Sequence, residues 1–287
     1  MPELPEVESL RRFLVERCLG KEYARLELAS FTALKTVDVP LTDLIGRTVS
    51  DVVRRGKFIA MESGGLWLAW HLARAGWLRW KDQVPAAPAR PGKGPLTLRL
   101  AFTDGSGFEL TEAGTQRKLA LHVVKDLAEV VQIATLGPDP LSDEFSLEAF
   151  AAILAGAGRA QIKGVLRDQR TIAGVGNAYS DEILHAAKLS PFKPANGLSE
   201  DQVAQLYAAL RTELGEAIAR ADGLAAKDLK GEKKSGLRVH GRTGEACPVC
   251  GDTIAQVSFA DSSLQYCPRC QTGGKPLADR RLSRLLK

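Results

Sequence analysis

Val7, Leu10 and Leu14 recur at helical spacing between Pro5 and about Leu19, with Gly20 as a stop, so the pattern predicts a helix that begins almost at the first residue. The period then shortens. Runs at Phe58-Ile59-Ala60-Met61, Leu66 to Leu72 and Trp77 to Trp80, punctuated by Gly64-Gly65 and Gly76, read as β-strands. Residues 84–95 are rich in Pro, Ala and Gly and read as a loop. Further strands are expected at 96–102, at 108–112 beyond the Asp104-Gly105 turn, and at about 119–124. The first half is therefore β-rich with a leading helix, to about residue 135.

Gly137-Pro138-Asp139-Pro140 marks a boundary, and beyond it the apolar period becomes helical. Ser146 suits the N-cap of a helix to about Leu154, because its hydroxyl accepts from a first-turn amide. A second helix is expected from about Gln161 to Asp168 and a third from about Ala178 to Ala187, joined by the glycine-rich turn Gly174-Val175-Gly176-Asn177. Ser199 with Gln202 forms a capping box for a long fourth helix, whose buried face carries Val203, Leu206, Leu210, Leu214 and Ile218. Residues 247–270 form a separate small module, and the chain has no internal repeat.

Length and composition narrow the class. With 287 residues the chain has room for two domains and a real core. No stretch approaches the roughly 20 apolar residues of a membrane span, and no basic-then-apolar leader opens the chain, so an intracellular protein, cytoplasmic or nucleoid-associated, is expected. The balance of 39 Lys+Arg against 34 Asp+Glu gives only +5, so the placement of charge carries more information than its sum. Lys227, Lys230, Lys233, Lys234, Arg238 and Arg242 precede the small module, and Lys275, Arg280, Arg281, Arg284 and Lys287 follow it. Basic flanks of that kind suit a nucleic acid.

Four of the five cysteines form two CxxC pairs, Cys247 with Cys250 and Cys267 with Cys270, separated by sixteen residues. Two residues between thiolates let one tight turn present both sulfurs to the same ion, and four such ligands suit one tetrahedral, structural Zn2+. Iron is possible by ligand type alone, but paired knuckles joined by a hairpin-length insert favour zinc. The insert, Thr253 to Gln265, is expected to fold back as two strands. Cys18 stands apart. The module reads either as a stabilising clip or, given its flanks, as a DNA contact.

Two further sites carry candidate chemistry. Gly174 and Gly176 permit close approach by a phosphate, and Asn177 opens the next helix, where anions are favoured. The same Gly-x-Gly is also an ordinary turn. At the other end, removal of Met1 would expose the secondary amine of Pro2, a nucleophile able to attack a sugar C1′ and leave an iminium. Glu3 is placed to handle the proton, and Glu6 to order water or cap the helix. Pro-Glu is equally ordinary first-turn chemistry. Lys57, after Arg54-Arg55-Gly56, reads as a phosphate or base contact or as plain surface charge.

The opening Pro2-Glu3-Leu4-Pro5-Glu6-Val7-Glu8, the Arg55-Gly56-Lys57-Phe58 run, His71-Leu72-Ala73-Arg74-Ala75-Gly76, the Gly174 to Asn177 turn and Gly241-Arg242-Thr243-Gly244 before the cysteines together resemble the formamidopyrimidine-DNA glycosylase and endonuclease VIII family over nearly the whole length. The resemblance implies an α+β chain. An N-terminal catalytic β-sandwich with flanking helices would occupy 1–135, a helix-two-turn-helix DNA-binding domain 136–240, a four-cysteine zinc finger with a zinc-ribbon-like hairpin 241–273, and a basic tail 274–287. It implies a bifunctional DNA glycosylase and abasic-site lyase of base excision repair, acting as a monomer on double-stranded DNA with a damaged base or abasic site. Pro2 would be the nucleophile, Glu3 the general acid or base, Lys57 a lesion-side contact and Glu6 a support. Lys163, Asn177, Arg242 and Arg74 would meet DNA.

The sequence also departs from that family. Arg74 stands where members place an apolar wedge, and the loop Glu112-Ala113-Gly114-Thr115-Gln116-Arg117 lacks their usual arginine and aromatic pair. A weakened wedge predicts a preference for lesions that flip cheaply, including abasic sites. Ser262 replaces a phosphate-binding arginine, a role that would pass to Gln265 or Arg242, and the 230–236 segment is short for a loop closing over 8-oxoguanine. The basic tail reads as a backbone-tracking arm or a solubilising end. The rival to an enzyme is a non-catalytic binder of abasic or otherwise distorted DNA.

Overall fold

In the computed structural model, which describes residues 1–92, 94–260 and 262–278, helix α1 (Leu4–Cys18) starts from a reciprocal capping box between Glu3 and Glu6 and buries Leu10, Leu14 and Cys18 completely. Eight strands follow: β1 (Tyr23–Leu28), β2 (Asp51–Arg55), β3 (Phe58–Ser63), β4 (Leu66–His71), β5 (Gly76–Lys81), β6 (Leu96–Phe102), β7 (Gly107–Glu112) and β8 (Ala120–Val124). They form two four-stranded antiparallel sheets, ordered β1-β6-β7-β5 and β2-β3-β4-β8. Leu98, Leu100, Phe108 and Leu110 of the first share one core with Ile59, Met61, Leu68 and Trp70 of the second and with Val7, Leu10 and Leu14 of α1. A short helix α2 (Val131–Ala134) follows.

β1 and β2, both edge strands, escape the apolar pattern because charged residues interrupt them. Arg25 and Glu27 interrupt β1, and β2 ends in Arg54-Arg55. Charge on an edge strand blocks pairing with another chain and also hides the strand from a hydrophobicity reading.

The remaining elements are α3 (Leu147–Gly156), α4 (Ile162–Arg167), α5 (Asn177–Ala186), α6 (Glu200–Arg220), α7 (Leu229–Gly236), the hairpin strands β9 (Ala255–Ser258) and β10 (Ser263–Tyr266), and α8 (Pro268–Thr272). Ser146 caps α3 by accepting from the Ala149 amide at 3.2 Å. Ser199 and Gln202 make the expected reciprocal pair, with the Gln202 amide 3.3 Å from the Ser199 hydroxyl and the Ser199 amide 3.2 Å from the Gln202 carbonyl oxygen. Residues 230–236 are not a loop but most of α7. Leu277, beyond α8, packs on the hairpin core of Val257, Leu264 and Tyr266, and its amide donates to the Tyr266 hydroxyl at 2.7 Å. The expected basic tail beyond Ala278 lies outside the described residues.

Chain order does not separate the two compact units. Met1–Leu136 joins Ala221–Gly231 in the first, and Gly137–Arg220 joins Glu232 and the residues after it in the second. A helical domain over 136–240 is thus interrupted. Ala221, Ala226 and Leu229 are drawn into the core of the first unit, and the Trp77 indole N–H donates to the Ala226 carbonyl at 2.9 Å. Buried apolar area outweighs sequence adjacency here.

Inside the second unit, Lys163 on α4 reaches Asp181 on α5 at 2.6 Å, with both side chains almost fully buried. Its ammonium also donates to the Ser180 hydroxyl at 2.7 Å and the Asn177 carbonyl at 3.2 Å. Breaking such a pair strands a buried charge. Lys163→Met is therefore expected to destabilise the second unit by about 3–5 kcal/mol in denaturant unfolding, and a loss under about 1 kcal/mol would show that Asp181 does not need its cation.

In the first unit, burial, with the Lys57 charge and His122 adding to it, holds the His71 imidazole down from 6.5 to about 4. Between those values an unfolded chain takes up a proton that the native one refuses. This contribution to stability is complete above pH 6.5 and is lost as pH falls toward 4. His71→Phe is expected to flatten the pH dependence of the unfolding free energy in that window, and an unchanged slope would assign it to other groups.

Candidate functional site

The N-terminal chemistry rests on the first turn of α1. Pro2 is buried. Glu3, 3% exposed, is the N-cap residue; its carboxylate accepts from the Glu6 backbone amide while the Glu6 carboxylate accepts the Glu3 amide at 2.8 Å. Glu6 is thus a cap, one of the two roles its position allowed. One turn on, Glu8 accepts from Arg54 on β2 at 3.0 Å and from Arg11 at 2.7 Å. Burial raises the Glu8 carboxyl, but the hydrogen bonds and charges of Arg11 and Arg54 outweigh it and hold the group below the ordinary carboxylate range. This pair ties α1 to the strand that leads into Lys57, a clamp that no local motif announces. Lys57 itself is 8% exposed, beyond the turn at Gly56, whose φ of 55° suits glycine.

After β4 the chain makes a tight excursion. The Ala73 amide donates to His71 Nδ1 at 3.2 Å, Ala73 takes a left-handed φ of 52°, and Arg74 is exposed at the tip. A Cβ on Gly76 would lie 2.1 Å from the Leu72 carbonyl oxygen, so only glycine closes this turn. The exposed stretch 113–118 is held at its base by Glu112, 2% exposed, which accepts from the Lys118 and Leu119 amides at 2.8 and 2.9 Å. Sequence reading missed Glu112 because a strand-end glutamate has no distinguishing spacing. A cavity of about 740 Å³ in the same unit is walled by Trp77, Trp80, Arg17 and the returning Ala225, Ala226 and Lys230, and neither Pro2, Glu3 nor Lys57 lines it. Lys230 sits 4.6 Å from the Trp77 ring centre.

In the second unit the turn before α5 is organised by Gln169, whose carbonyl oxygen accepts the Gly174 amide at 2.9 Å and whose amide donates to Val175 O at 2.7 Å. Asn177 opens α5, but its side-chain amide donates to the Ser263 carbonyl of β10 at 2.7 Å. Lys163, expected from the sequence to meet DNA, is buried and paired with Asp181, and it fixes α4 against α5. Gln265 is likewise 4% exposed and bonded to Gln256, Ser263 and the Gly241 amide. Arg242 remains partly exposed while donating to the Leu237 carbonyl and pairing with Glu245 at 3.0 Å.

The four finger cysteines place their sulfurs within 4.8 Å of one another, with Cys247 to Cys270 at 3.9 Å and Cys250 to Cys267 at 3.4 Å. Four sulfurs about 2.3 Å from one tetrahedral ion lie roughly 3.8 Å apart, so the cluster fits a single structural zinc. Cys18 takes no part: it is fully buried in the first unit, and burial pushes its thiol up to about 12. Among the described residues no helix is long and apolar enough to cross a membrane.

Comparison with known proteins agrees across the chain. Residues 1–119 match the formamidopyrimidine-DNA glycosylase N-terminal domain, 136–228 the formamidopyrimidine-DNA glycosylase H2TH domain, and 244–273 the zinc finger found in FPG and IleRS. The formamidopyrimidine-DNA glycosylase of Symbiobacterium thermophilum is 35% identical over 281 residues, covering 94% of this chain and 89% of that one. An uncharacterized formamidopyrimidine-DNA glycosylase-like protein of Mycobacterium tuberculosis is 58% identical over its whole length, which covers 56% of this chain. The Lactococcus lactis enzyme, crystallised non-covalently bound to DNA containing an abasic site, superposes with a TM-score of 0.81 at 29% identity, covering 94% of this chain and 99% of that one. With sandwich, helical unit and zinc hairpin all matched, the chain belongs to the formamidopyrimidine-DNA glycosylase family.

Proposed function

We propose that this chain excises damaged bases from double-stranded DNA and then cuts the abasic strand, with Pro2 as nucleophile once Met1 is removed. The observation that carries the reading is the placement of Pro2 and Glu3 at the capped start of α1, within a chain that matches the glycosylase family over its length. Several matched structures are complexes with abasic-site or Fapy-dG DNA, which supports the same substrate class here. A DNA substrate places the protein in the compartment that holds the chromosome.

The chemistry follows from the residues. The positive end of the α1 dipole disfavours a second positive charge, which keeps the Pro2 amine toward its neutral, nucleophilic form. Its nitrogen bonds to C1′ as the C1′–N bond to the base breaks and the departing base takes a proton from water. Glu3, carboxylate beside that amine, takes the proton that the Pro2 nitrogen sheds and passes it to the ring oxygen as the C1′–O4′ bond opens, and Glu6 keeps Glu3 in place through its capping bond. The resulting iminium acidifies C2′–H; loss of that proton expels the 3′ phosphate, and water later releases the imine. Lys57 meets the lesion-side phosphate or base. Asn177, with one amide hydrogen on Ser263, has the other for a backbone phosphate, and Arg242 adds charge nearby on the finger approach. Arg74 enters the stack in place of an apolar wedge and pairs with the orphan base. Zinc, held by Cys247, Cys250, Cys267 and Cys270, shapes the hairpin and takes no part in bond making.

Borohydride should trap a covalent adduct between the Met1-processed protein and abasic duplex. Pro2→Gly is expected to abolish the adduct, and Glu3→Gln to slow base excision by about 10²–10⁴-fold. Tight abasic binding without any adduct would leave a lesion binder in place of an enzyme. Arg74→Ala is expected to slow excision of a lesion in a fully paired duplex while barely changing trapping at a preformed abasic site, because only the former has to pay for flipping, a few kcal/mol by rough estimate. Equal losses on both substrates would place Arg74 in binding alone.

A further inference from the structure

Asn177, Asp181 and His185 stand at four-residue steps along α5 and so share one face of that helix. Each reaches the finger region. Asn177 donates to the Ser263 carbonyl at 2.7 Å. Asp181 accepts from the Gln265 amide at 3.2 Å and pairs with His240 at 2.7 Å. His185 places Nε2 3.3 Å from the sulfur of Cys247.

The His185 ring is 3% exposed, and among the described residues its buried Nδ1 has no hydrogen-bond partner. A neutral imidazole carries one N–H and one lone pair. Were the proton on Nδ1, the structure would bury an unsatisfied donor and also aim the Nε2 lone pair at an anionic sulfur. With the proton on Nε2 the N–H points at the thiolate and only an acceptor is left unmet. The second tautomer is the cheaper one.

Four thiolates on one Zn2+ leave a net charge of about −2 in the cluster, and N–H donors to sulfur offset it. Cys247 is itself only 2% exposed, so water cannot supply that donor. We propose that His185 is a positioning residue of the metal site: its Nε2–H hydrogen-bonds the Cys247 thiolate, steadies the bound zinc, and fastens the finger to the last turn of α5. The proposal rests on the zinc assignment but not on the glycosylase chemistry.

The test uses the full chain in zinc-loaded and cobalt-substituted forms, comparing wild type with His185→Phe, which keeps a ring but has no donor, and His185→Gln, whose amide reaches toward the same place. His185→Phe is expected to pass zinc to a chelating dye about 10–100-fold more readily, and its sulfur-to-cobalt charge-transfer band should move to lower energy as the thiolate loses its hydrogen bond. His185→Gln should recover most of both. Circular dichroism checks that each variant is folded; should His185→Phe fail to fold, the band position and zinc transfer of His185→Gln against His185→Leu decide. Zinc retention and band position equal to wild type in a donor-free variant would overturn the proposal, as would equal losses in the Gln and donor-free variants with the band unmoved, which is the signature of packing alone. A wild-type chain that takes up neither metal would overturn the zinc assignment itself.

Discussion

An ionised carboxylate costs several kcal/mol to bury unless its oxygens are met, and Asp181, 1% exposed, is met on every side. Lys163 comes from α4, His240 from the segment before the finger, and the Gln265 amide from β10. Because three separate stretches are needed to satisfy one group, none can shift without stranding it. Glu182 repeats the device on the next residue, accepting the amides of Arg238, Val239 and His240 at 2.8, 3.0 and 2.8 Å. The irregular backbone leading to the cysteines is therefore fixed by α5 before any metal is considered.

The first unit uses the same economy. Glu8 joins α1 to β2 through Arg54, and Glu112 gathers two amides at the root of an exposed loop. Glu8 holds the side chain of a paired strand, whereas Glu112 holds backbone amides beyond the end of its strand. Strands and helices set the frame, and buried acids aim the segments between them.

What could be read from sequence followed the range of the interaction. The first helix, the Ser146 and Ser199 caps, the central strands and the four cysteines depend on residues within a few positions of one another, and these were legible. Lys163, Gln265 and Asn177 were read as phosphate ligands because a basic or amide side chain near a glycine turn carries no local sign of a partner 18, 9 or 86 positions away. Lys163 and Gln265 are engaged inside the protein, and Asn177 commits one of its two amide hydrogens there. The return of Ala221–Gly231 to the first unit was equally hidden: its anchors Ala226 and Leu229 are unremarkable apolar residues until Trp77 is seen to receive them. The candidate nucleophile, by contrast, needed only the first six residues, since capping and chemistry share one helical turn.

That locality bears on how a family member can change its substrate. The groups proposed for bond breaking lie within one turn of α1, and their geometry is fixed by capping and by the Glu8 clamp. The position proposed to enter the stack, Arg74, lies on an exposed turn beyond a left-handed Ala73, and the loop rooted at Glu112, which departs from the family in sequence, is exposed as well. Exposed tips tolerate substitution with little loss of stability. Replacing an apolar wedge there leaves the nucleophile where it was and alters only the free energy of extruding a nucleotide. Since that cost is least for bases already unpaired or missing, selection among lesions can drift at Arg74 and residues 113–118 while the chemistry proposed at Pro2 is kept.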